Sequence, residues 1–373
     1  MIAKSDSSLK TICIDCRMIN SSGIGTYIRN IVPEVIHEFN DVKFYLLGNK
    51  SKISNSNLFN FNNIEIIEFE APIYSIKEQI IYPFIIPKDV QLFWSIHYNF
   101  PVLYRGDLLV SIMDVAHLVL DQFKSNIIKR FYANFMFKQI ASRASTLIYI
   151  SKFSKQQFNE YVGKPFGNEF VTLLGVGDGW FNISEENIDI LSQPYILSVG
   201  NVKPHKNLGR LIDAFKKISH KIKHKLVIVG KDEGFITGDN TLKDKIKGLD
   251  ERIIFTGEVD ELELKQYFKN ADIFVFPSLY EGFGLPPLEA MASGLPVISS
   301  PNGSLTEVCG DAAIYFNPNS SEDLAEKLFN IIIDKELRNT HIVRGKNRAK
   351  KFTWRRPRSQ TINIIHEEYL KKT

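Results

Sequence analysis

Two α/β domains, each with a parallel sheet covered by helices on both faces, are predicted from three observations. The chain has 373 residues, and at roughly 100–200 residues per domain two are expected. Short apolar runs alternate with helical or loop segments along its whole length, which is the pattern of a parallel sheet. The composition, 44% apolar and 24% charged, is that of an ordinary globular chain. No internal repeat is visible beyond the similarity of the two halves.

Charge and cysteine usage narrow the function classes. A net charge of +4 is too small to argue for nucleic acid, and it agrees with an anionic small ligand or an acidic membrane surface. Cys13 and Cys16 lie in one strand-like run, where a spacing of three puts them on opposite faces, and Cys309 is remote. They make a poor metal or disulfide set, and a reducing, cytoplasmic setting is expected. Met1–Leu9 is polar and lacks the apolar region of a signal peptide. No apolar run reaches the ~18 residues of a membrane span, so a soluble or peripheral protein is expected.

Taken in order, the first strand is Thr11–Cys16, which leads through Arg17 and Ser21-Ser22-Gly23-Ile24-Gly25 into a helix, Thr26–Phe39. Pro33 falls inside that helix and can kink it. A Gly-x-Gly between strand and helix can cradle a phosphate. The dinucleotide fingerprint would need glycine or alanine at position 28, where Ile28 stands, which argues against a nicotinamide cofactor. Further strands are expected at Val42–Leu47, Ile64–Phe69, Leu92–Ile96, Leu108–Met113 and Leu147–Ile150, and Ser51–Asn63 is expected as a surface loop. His97, Asn99 and Asp114 fall at strand ends, with His117 three residues further on. A role in holding turns is the default reading for each of these four. Ser125–Ala141 has helical period, with Ile128, Phe131, Tyr132, Phe135, Met136 and Ile140 on one side and Lys124, Lys129, Arg130, Lys138 and Arg143 around the rest. Such a stripe is usually core; the rival reading is a basic-aromatic surface resting on anionic headgroups. The domain boundary is expected in the polar stretch Ser184–Gln193.

The second half opens with the strand Tyr195–Gly200 and the loop Asn201–Asn207. Asn207 is the expected N-cap of the helix Leu208–Ile218. Lys206, beside that helix start, suits a diphosphate, although a solvated lysine is the plainer alternative. Strands follow at Lys225–Gly230, Ile273–Phe276 and Pro296–Ser300, with helices at Glu263–Ala271 and Ser320–Ile333, the last with Ser321 as cap. The segment Ile273–Gly294 organises the rest. Pro277 and Ser278 end its strand, two glycines let the following loop approach a ligand, and Pro287 opens a helix that stops at Gly294. Glu281 therefore sits on a loop at the carboxyl end of a strand, and Glu289 in the first turn of a helix, where it would complement the macrodipole even without a ligand. In open parallel sheets that crevice is where ligands bind.

This segment resembles the E-x7-E motif of glycosyltransferase family 4, through Ser278, Glu281–Leu285, Pro287, Glu289–Ala292, Gly294 and Pro296. The likeness continues in Arg17–Tyr27 (R-x5-G-I-G-x-Y), Ser111–His117, Ile150–Ser154, Leu174–Asp178, Pro204–Asn207 (P-x-K-N), Ile253–Val259 and Trp354. The family implies the GT-B fold: an acceptor-binding domain over 1–180, a nucleotide-sugar domain over 181–352, facing each other across a cleft, and a final helix, 353–373, packing back on the first. It implies retaining transfer of a hexose from a nucleotide sugar to a hydroxyl.

By the same resemblance, the donor diphosphate meets the Gly25 amide, Lys206 and Lys203. The nucleobase meets the backbone of Gly257 and Val259, and the ribose meets Glu289. The sugar meets Glu281 and the loop of Ser278, Gly282, Phe283, Gly284 and Leu285. Met113 stands where the family has histidine, so Asp114 and His117 are the other catalytic candidates, with Arg17, His97 and Asn99 on the acceptor side. His205 stands in place of an arginine, and Asn201 where some relatives have a second one.

No D-x-D occurs, so no metal and no further cofactor is expected. The look is that of bacterial polysaccharide mannosyltransferases, suggesting GDP-mannose and a lipid-linked or saccharide acceptor in O-antigen assembly at the cytoplasmic face of the inner membrane, with residues 124–143 as a possible membrane contact. GDP-fucose, dTDP-rhamnose and UDP-hexoses remain open as donors. A sugar-nucleotide epimerase of the same fold, a dehydrogenase and a non-catalytic binding protein are the alternatives.

Overall fold

The structure, a computed structural model, describes residues 10–56, 58–120, 127–183, 191–231, 242, 245–246, 248–249 and 251–370. The expectations placed on Met1–Leu9 and Lys124, and on most of Ser184–Gln193, lie outside these residues. The chain divides into two compact units, Met1–Leu174 with Trp354–Thr373, and Gly175–Thr353.

The first unit is a seven-stranded sheet. Its strands are β1 (Thr11–Asp15), β2 (Lys43–Gly48), β3 (Ile64–Glu68), β4 (Leu92–Ser95), β5 (Asp107–Ile112), β6 (Thr146–Tyr149) and β7 (Asn168–Val171), in the order β3-β2-β1-β4-β5-β6-β7. All pairs are parallel, with Cys13 of β1 opposite Tyr45 of β2 and Phe93 of β4. The central strands are buried from end to end, as strands covered on both faces must be. Helices α1 (Ser22–Glu38), α2 (Lys50–Ser54), α3 (Ile76–Ile85), α4 (Ala116–Val119), α5 (Ile127–Arg143) and α6 (Lys152–Tyr161) fill the connections. Strand order reverses between β1 and β4, so the loops after these two strands flank one switch point.

The second unit has six strands, β8 (Tyr195–Val199), β9 (Lys225–Val229), β10 (Ile253–Gly257), β11 (Ile273–Phe276), β12 (Val297–Ser299) and β13 (Ile314–Tyr315), in the order β10-β9-β8-β11-β12-β13. Its helices are α7 (Leu208–Ile218), α8 (Glu261–Asn270), α9 (Leu285–Ser293), α10 (Leu305–Cys309), α11 (Ser321–Ile333) and α12 (Lys335–Ala349). The switch point here lies between β8 and β11. Gly175–Trp180 belongs to this unit: the Val176 amide donates to the Phe352 carbonyl at 2.7 Å, and the Trp180 ring stands edge-on to Phe268 at 5.0 Å. The last helix, α13 (Arg355–Ile365), returns to the first unit, where Arg358 Nε donates to the Asn30 carbonyl of α1 at 2.8 Å. Its Pro357 sits at the third helical position, where no intrahelical N–H bond is needed.

Several elements depart from the sequence reading. The cap of α11 is Ser320, not Ser321, and its hydroxyl accepts from the Asp323 amide at 3.1 Å. β7 and β13 were not expected; both are short, half-buried sheet edges with no long apolar run. The α5 stripe is divided. Met136, Phe137 and Ile140 enter the core, whereas Ile128, Phe131 and Phe135 are 81%, 74% and 42% exposed. In helix α3, Glu78 and Tyr82 point inward, Ile81 and Ile85 pack partly against the core, and Ile76, Ile80 and Phe84 point out.

The reason Glu78 is buried is Arg17. Its guanidinium lies 2.6 Å from both Asp15 Oδ2 and Glu78 Oε2, with side-chain exposure of 3%, against zero for each carboxylate. It also rests on the Phe69 ring at 4.5 Å. His97 Nε2 approaches Asp15 at 3.3 Å while its Nδ1 accepts from the Asn99 amide at 3.0 Å, which puts the ring proton on the Asp15 side. Asn99 in turn donates to Glu78 and accepts from the Tyr132 hydroxyl. Burial pushes the Asp15 carboxyl up, but Arg17 and the His97 hydrogen bond outweigh it and hold it far below the usual carboxylate range. Arg17, His97 and Asn99, expected to touch the acceptor, are therefore buried members of an ion cluster. Removing one partner of such a cluster leaves charge without compensation, at about 3–5 kcal/mol. Arg17→Ala is expected to lower the thermal midpoint by many degrees in calorimetry; an unchanged midpoint would show the cluster to be dispensable.

Candidate functional site

The carboxyl edge of the second sheet gathers most of the expected donor residues. After β8, Pro204–Lys206 forms a 3-10 turn ending at Asn207, whose φ of 55° is left-handed. Asn207 does not cap α7 with its side chain, as expected from sequence. Its amide donates instead to the carbonyls of Pro277 and Pro318, at 3.3 and 3.1 Å. The Leu279 amide donates to the His205 carbonyl at 2.7 Å. The loops after β8 and β11 are thus stapled together. The consequence is a contact of 2.5 Å between Lys206 Nζ and Glu281 Oε1, with the ammonium 5.3 Å over the Phe276 ring. Both side chains keep partial access to solvent, 19% and 15%, as a ligand-binding pair needs.

His205, standing in place of an arginine, supplies no second cation. Burial, helped by Lys206 and Lys203 and opposed by Glu281, lowers its pKa to about 4, so the ring is neutral at pH 7. Lys203 is exposed.

The loop carrying Glu281 is fixed from beneath. Ser304 donates to the carbonyls of Glu281 and Phe283, and its amide donates to Glu281 as well. Ser300 donates to the Ser278 carbonyl, and the buried Ser278 hydroxyl has no hydrogen-bond partner among the described residues. Gly282, Phe283 and Leu285 are buried. Gly284 has φ 120°, and a Cβ there would lie 2.8 Å from the Leu305 side chain, so only glycine fits. It is the N-cap of α9, with Pro286 and Pro287 in the first turn. The loop therefore ends on a helix start, a fixed partial positive charge. On β10, Gly257 (φ 75°) faces open space, and its neighbour Val259 is half-buried.

Glu289 differs from the sequence reading. Because α9 begins at Leu285, two residues earlier than expected, Glu289 is its fifth residue and lies beyond the first turn. Helix-dipole complementation therefore does not account for it. Burial, with Glu261 adding and Lys265 of α8 opposing, raises its pKa to about 8.

In the first unit, Gly25 is also displaced from its expected role. Its amide donates to the Ser21 carbonyl at 2.8 Å, because α1 starts at Ser22 and the fourth helical N–H is already bonded. Glycine is required there because a Cβ would collide with the Ile19 carbonyl. Asp114 Oδ1 accepts from the Ala116 amide at 2.9 Å and so shapes the turn into α4. His117, on α4, is half-buried against the rings of Tyr98 and Tyr74 at 5.1 and 5.6 Å. Of the two histidines left open by the sequence, His97 is locked in the ion cluster and His117 is the accessible one. Tyr74, Tyr98 and Ser304 were not singled out from sequence. Tyrosine and serine are too common for residue type alone to mark them.

Comparison with known proteins agrees with this geometry. Residues 182–348 match the family model described as glycosyl transferases group 1. The chain is 31% identical over 231 residues to an O-antigen chain mannosyltransferase B of Escherichia coli, a match covering 59% of this chain and 60% of that protein. It is 28% identical over 345 residues to an uncharacterized glycosyltransferase of Methanocaldococcus jannaschii, covering 89% and 91%. Among solved structures, a sucrose-phosphate synthase of Thermosynechococcus elongatus superposes with a TM-score of 0.76 at 19% identity, covering 96% of this chain and 98% of that one. The fold is GT-B.

The Glu289 shift has a signed consequence. A carboxyl whose pKa is about 4.5 unfolded and about 8 folded binds more protons in the native state between those values. Its contribution to stability is thus present at low pH and is lost as pH rises through about 8. Glu289→Gln is expected to melt progressively higher relative to the parent as pH is raised from 5 to 9. A constant difference across that range would contradict the shift.

Proposed function

We propose that this chain, which carries a glycosyl transferase group 1 domain over residues 182–348, transfers a hexose from a nucleoside diphosphate sugar to an acceptor hydroxyl. The observation that carries this reading is the Lys206–Glu281 pair beside the start of α9. Departure of a nucleoside diphosphate builds negative charge on phosphate and positive charge on the sugar ring. A lysine and a helix start answer the first charge, and a carboxylate on the adjoining loop can hold sugar hydroxyls. Glu289, half-buried and readily protonated, can both donate to and accept from a ribose diol. Mannose from GDP-mannose is our choice of hexose and donor, supported by the family resemblance and by the activity named for the Escherichia coli relative. The leaving diphosphate is held without a divalent metal in this reading, since the chain lacks a D-x-D motif.

The acceptor is a lipid-linked or saccharide chain of a surface polysaccharide such as O-antigen, met at the cytoplasmic face of the membrane. The first unit supports the lipid-linked form. Ile76, Ile80 and Phe84 of α3 and Ile128, Phe131 and Phe135 of α5 are exposed, and Gln79 bonds Tyr132 at 3.4 Å to bring the two helices to one side. Contiguous exposed apolar side chains on this scale mark an interaction surface. Lys77, Arg130 and Lys138 are exposed on the same helices, which suits anionic headgroups. A groove of about 300 Å³ lined by Leu118, Ile127, Phe131, Tyr161, Arg130 and Asn134 opens just beyond His117. No helix among the described residues is long and apolar enough to cross a membrane.

Two experiments test this. In a thermal-shift screen of GDP, UDP and dTDP sugars, GDP-mannose is expected to raise the melting point most. Glu281→Ala is then expected to reduce transfer by about a hundredfold or more, Lys206→Ala to raise the donor KM, and EDTA to change neither; unchanged turnover in Glu281→Ala, or a full requirement for manganese, refutes the site. The membrane reading predicts co-sedimentation with vesicles containing anionic lipid, and its loss in Phe84→Ser/Phe131→Ser at unchanged melting temperature.

A further inference from the structure

Tyr74 is one of two non-glycine residues with positive φ among those described, at 64°. For a bulky aromatic side chain that backbone state is a strained one, which persists only where the surroundings over-determine it. They do so here. Ser75, the next residue, is the N-cap of α3 in a capping box with Glu78, and its hydroxyl also donates to the Pro72 carbonyl at 2.6 Å. The far oxygen of Glu78 is the one held by Arg17. The buried ion cluster therefore fixes the chain on the carboxyl side of Tyr74.

The strain sets a ring in a defined place. Tyr74 stacks on Tyr98 with centroids 4.6 Å apart and planes 11° from parallel. It meets His97 edge-on at 5.9 Å and lies tilted against His117 at 5.6 Å. Tyr98 meets the same side of His117 at 5.1 Å and is itself stacked on Phe137 of α5 at 4.6 Å. His117, three residues beyond Asp114, thus rests against a stacked pair of rings, one from the loop after β3 and one from the loop after β4.

We propose that Tyr74 is a positioning residue, whose strained backbone holds its ring against His117 and so gives the imidazole a single orientation for the acceptor. The inference rests on the proposed transfer function and on the reading of Asp114 and His117 as its catalytic candidates. An aromatic residue buried only for packing would sit in relaxed backbone, as Tyr98 does, its φ being absent from the positive set. Glycine at position 74 would relieve the backbone and delete the ring. Phenylalanine would keep the ring and lose only the hydroxyl.

The test uses the full chain with 13C-labelled histidine and the variants Tyr74→Phe and Tyr74→Gly, assigning His117 by its loss in His117→Gln. Tyr74→Phe is expected to retain the ring-shifted His117 resonance and to transfer from GDP-mannose within about twofold of the parent. Tyr74→Gly is expected to melt within a few degrees of the parent, to lose that ring shift, and to lower kcat/KM for acceptor by about tenfold with the donor KM unchanged. A His117 signal that keeps its ring shift in Tyr74→Gly overturns the proposal, as does transfer lost only in proportion to a fall in folded protein. If the parent itself shows no transfer, the transferase reading fails, and the His117 spectrum alone still decides whether Tyr74 orients that ring.

Discussion

The second unit depends on the 2.5 Å contact between Lys206 and Glu281. Lys206 ends a single 3-10 turn and Glu281 lies in a loop, and such segments hold a geometry only when their backbone polar groups are bonded. Asn207 and His205 bind one loop to the other, and Ser304 binds the second loop from below. These contacts explain the left-handed Asn207. An asparagine tolerates that conformation better than most residues and supplies an amide long enough to reach two proline carbonyls, which have no N–H of their own to compete nearby.

The first unit is organised by an opposite choice, burial of charge. Arg17 draws Asp15 and Glu78 inward, and Glu78 brings the polar side of α3 with it. Ile81 and Ile85 still pack partly against the core, while Ile76, Ile80 and Phe84 face out. The exposed apolar residues of α3 thus lie on the same helix whose Glu78 is drawn into the core. A glutamate, a residue that ordinarily faces solvent, is turned into the core by a guanidinium 61 residues before it in the chain.

That inward turn shows where sequence reasoning stops. The strand alternation was legible because parallel strands covered on both faces must be apolar throughout, and the central strands β1, β4, β8 and β11 were placed to within a residue or two. The loop after β11 was legible because Pro277 ends a strand and Pro286 and Pro287 open a helix. What was not legible are properties of pairing over distance. The fate of Arg17, His97 and Asn99 depends on Glu78, which arrives from another element, and the bonded state of Gly25 depends on where α1 begins. The division of the α5 stripe depends on which side of the helix Gln79 and Phe100 approach. Asn207 was recognised as the N-cap position, yet its side chain serves tertiary contacts that no local pattern encodes.

The ionisation pattern bears on how the site handles charge. With His205 neutral, Lys206 paired to Glu281, and Glu289 raised to about 8, these donor-loop groups carry little net charge before ligand arrives. In the proposed transfer, an incoming diphosphate would compete with Glu281 for the Lys206 ammonium instead of adding to a surplus of cations. A surplus would bind substrate and product diphosphate alike, and uniform binding of that kind does not lower the barrier. With one ammonium shared between a carboxylate and the phosphate, its pull is felt most when charge develops on the leaving oxygen. The carboxylate, released toward the sugar at that moment, faces the growing positive charge. A histidine in place of arginine at position 205 is, on this argument, a means of keeping the attraction for the transition state greater than that for the diphosphate at rest.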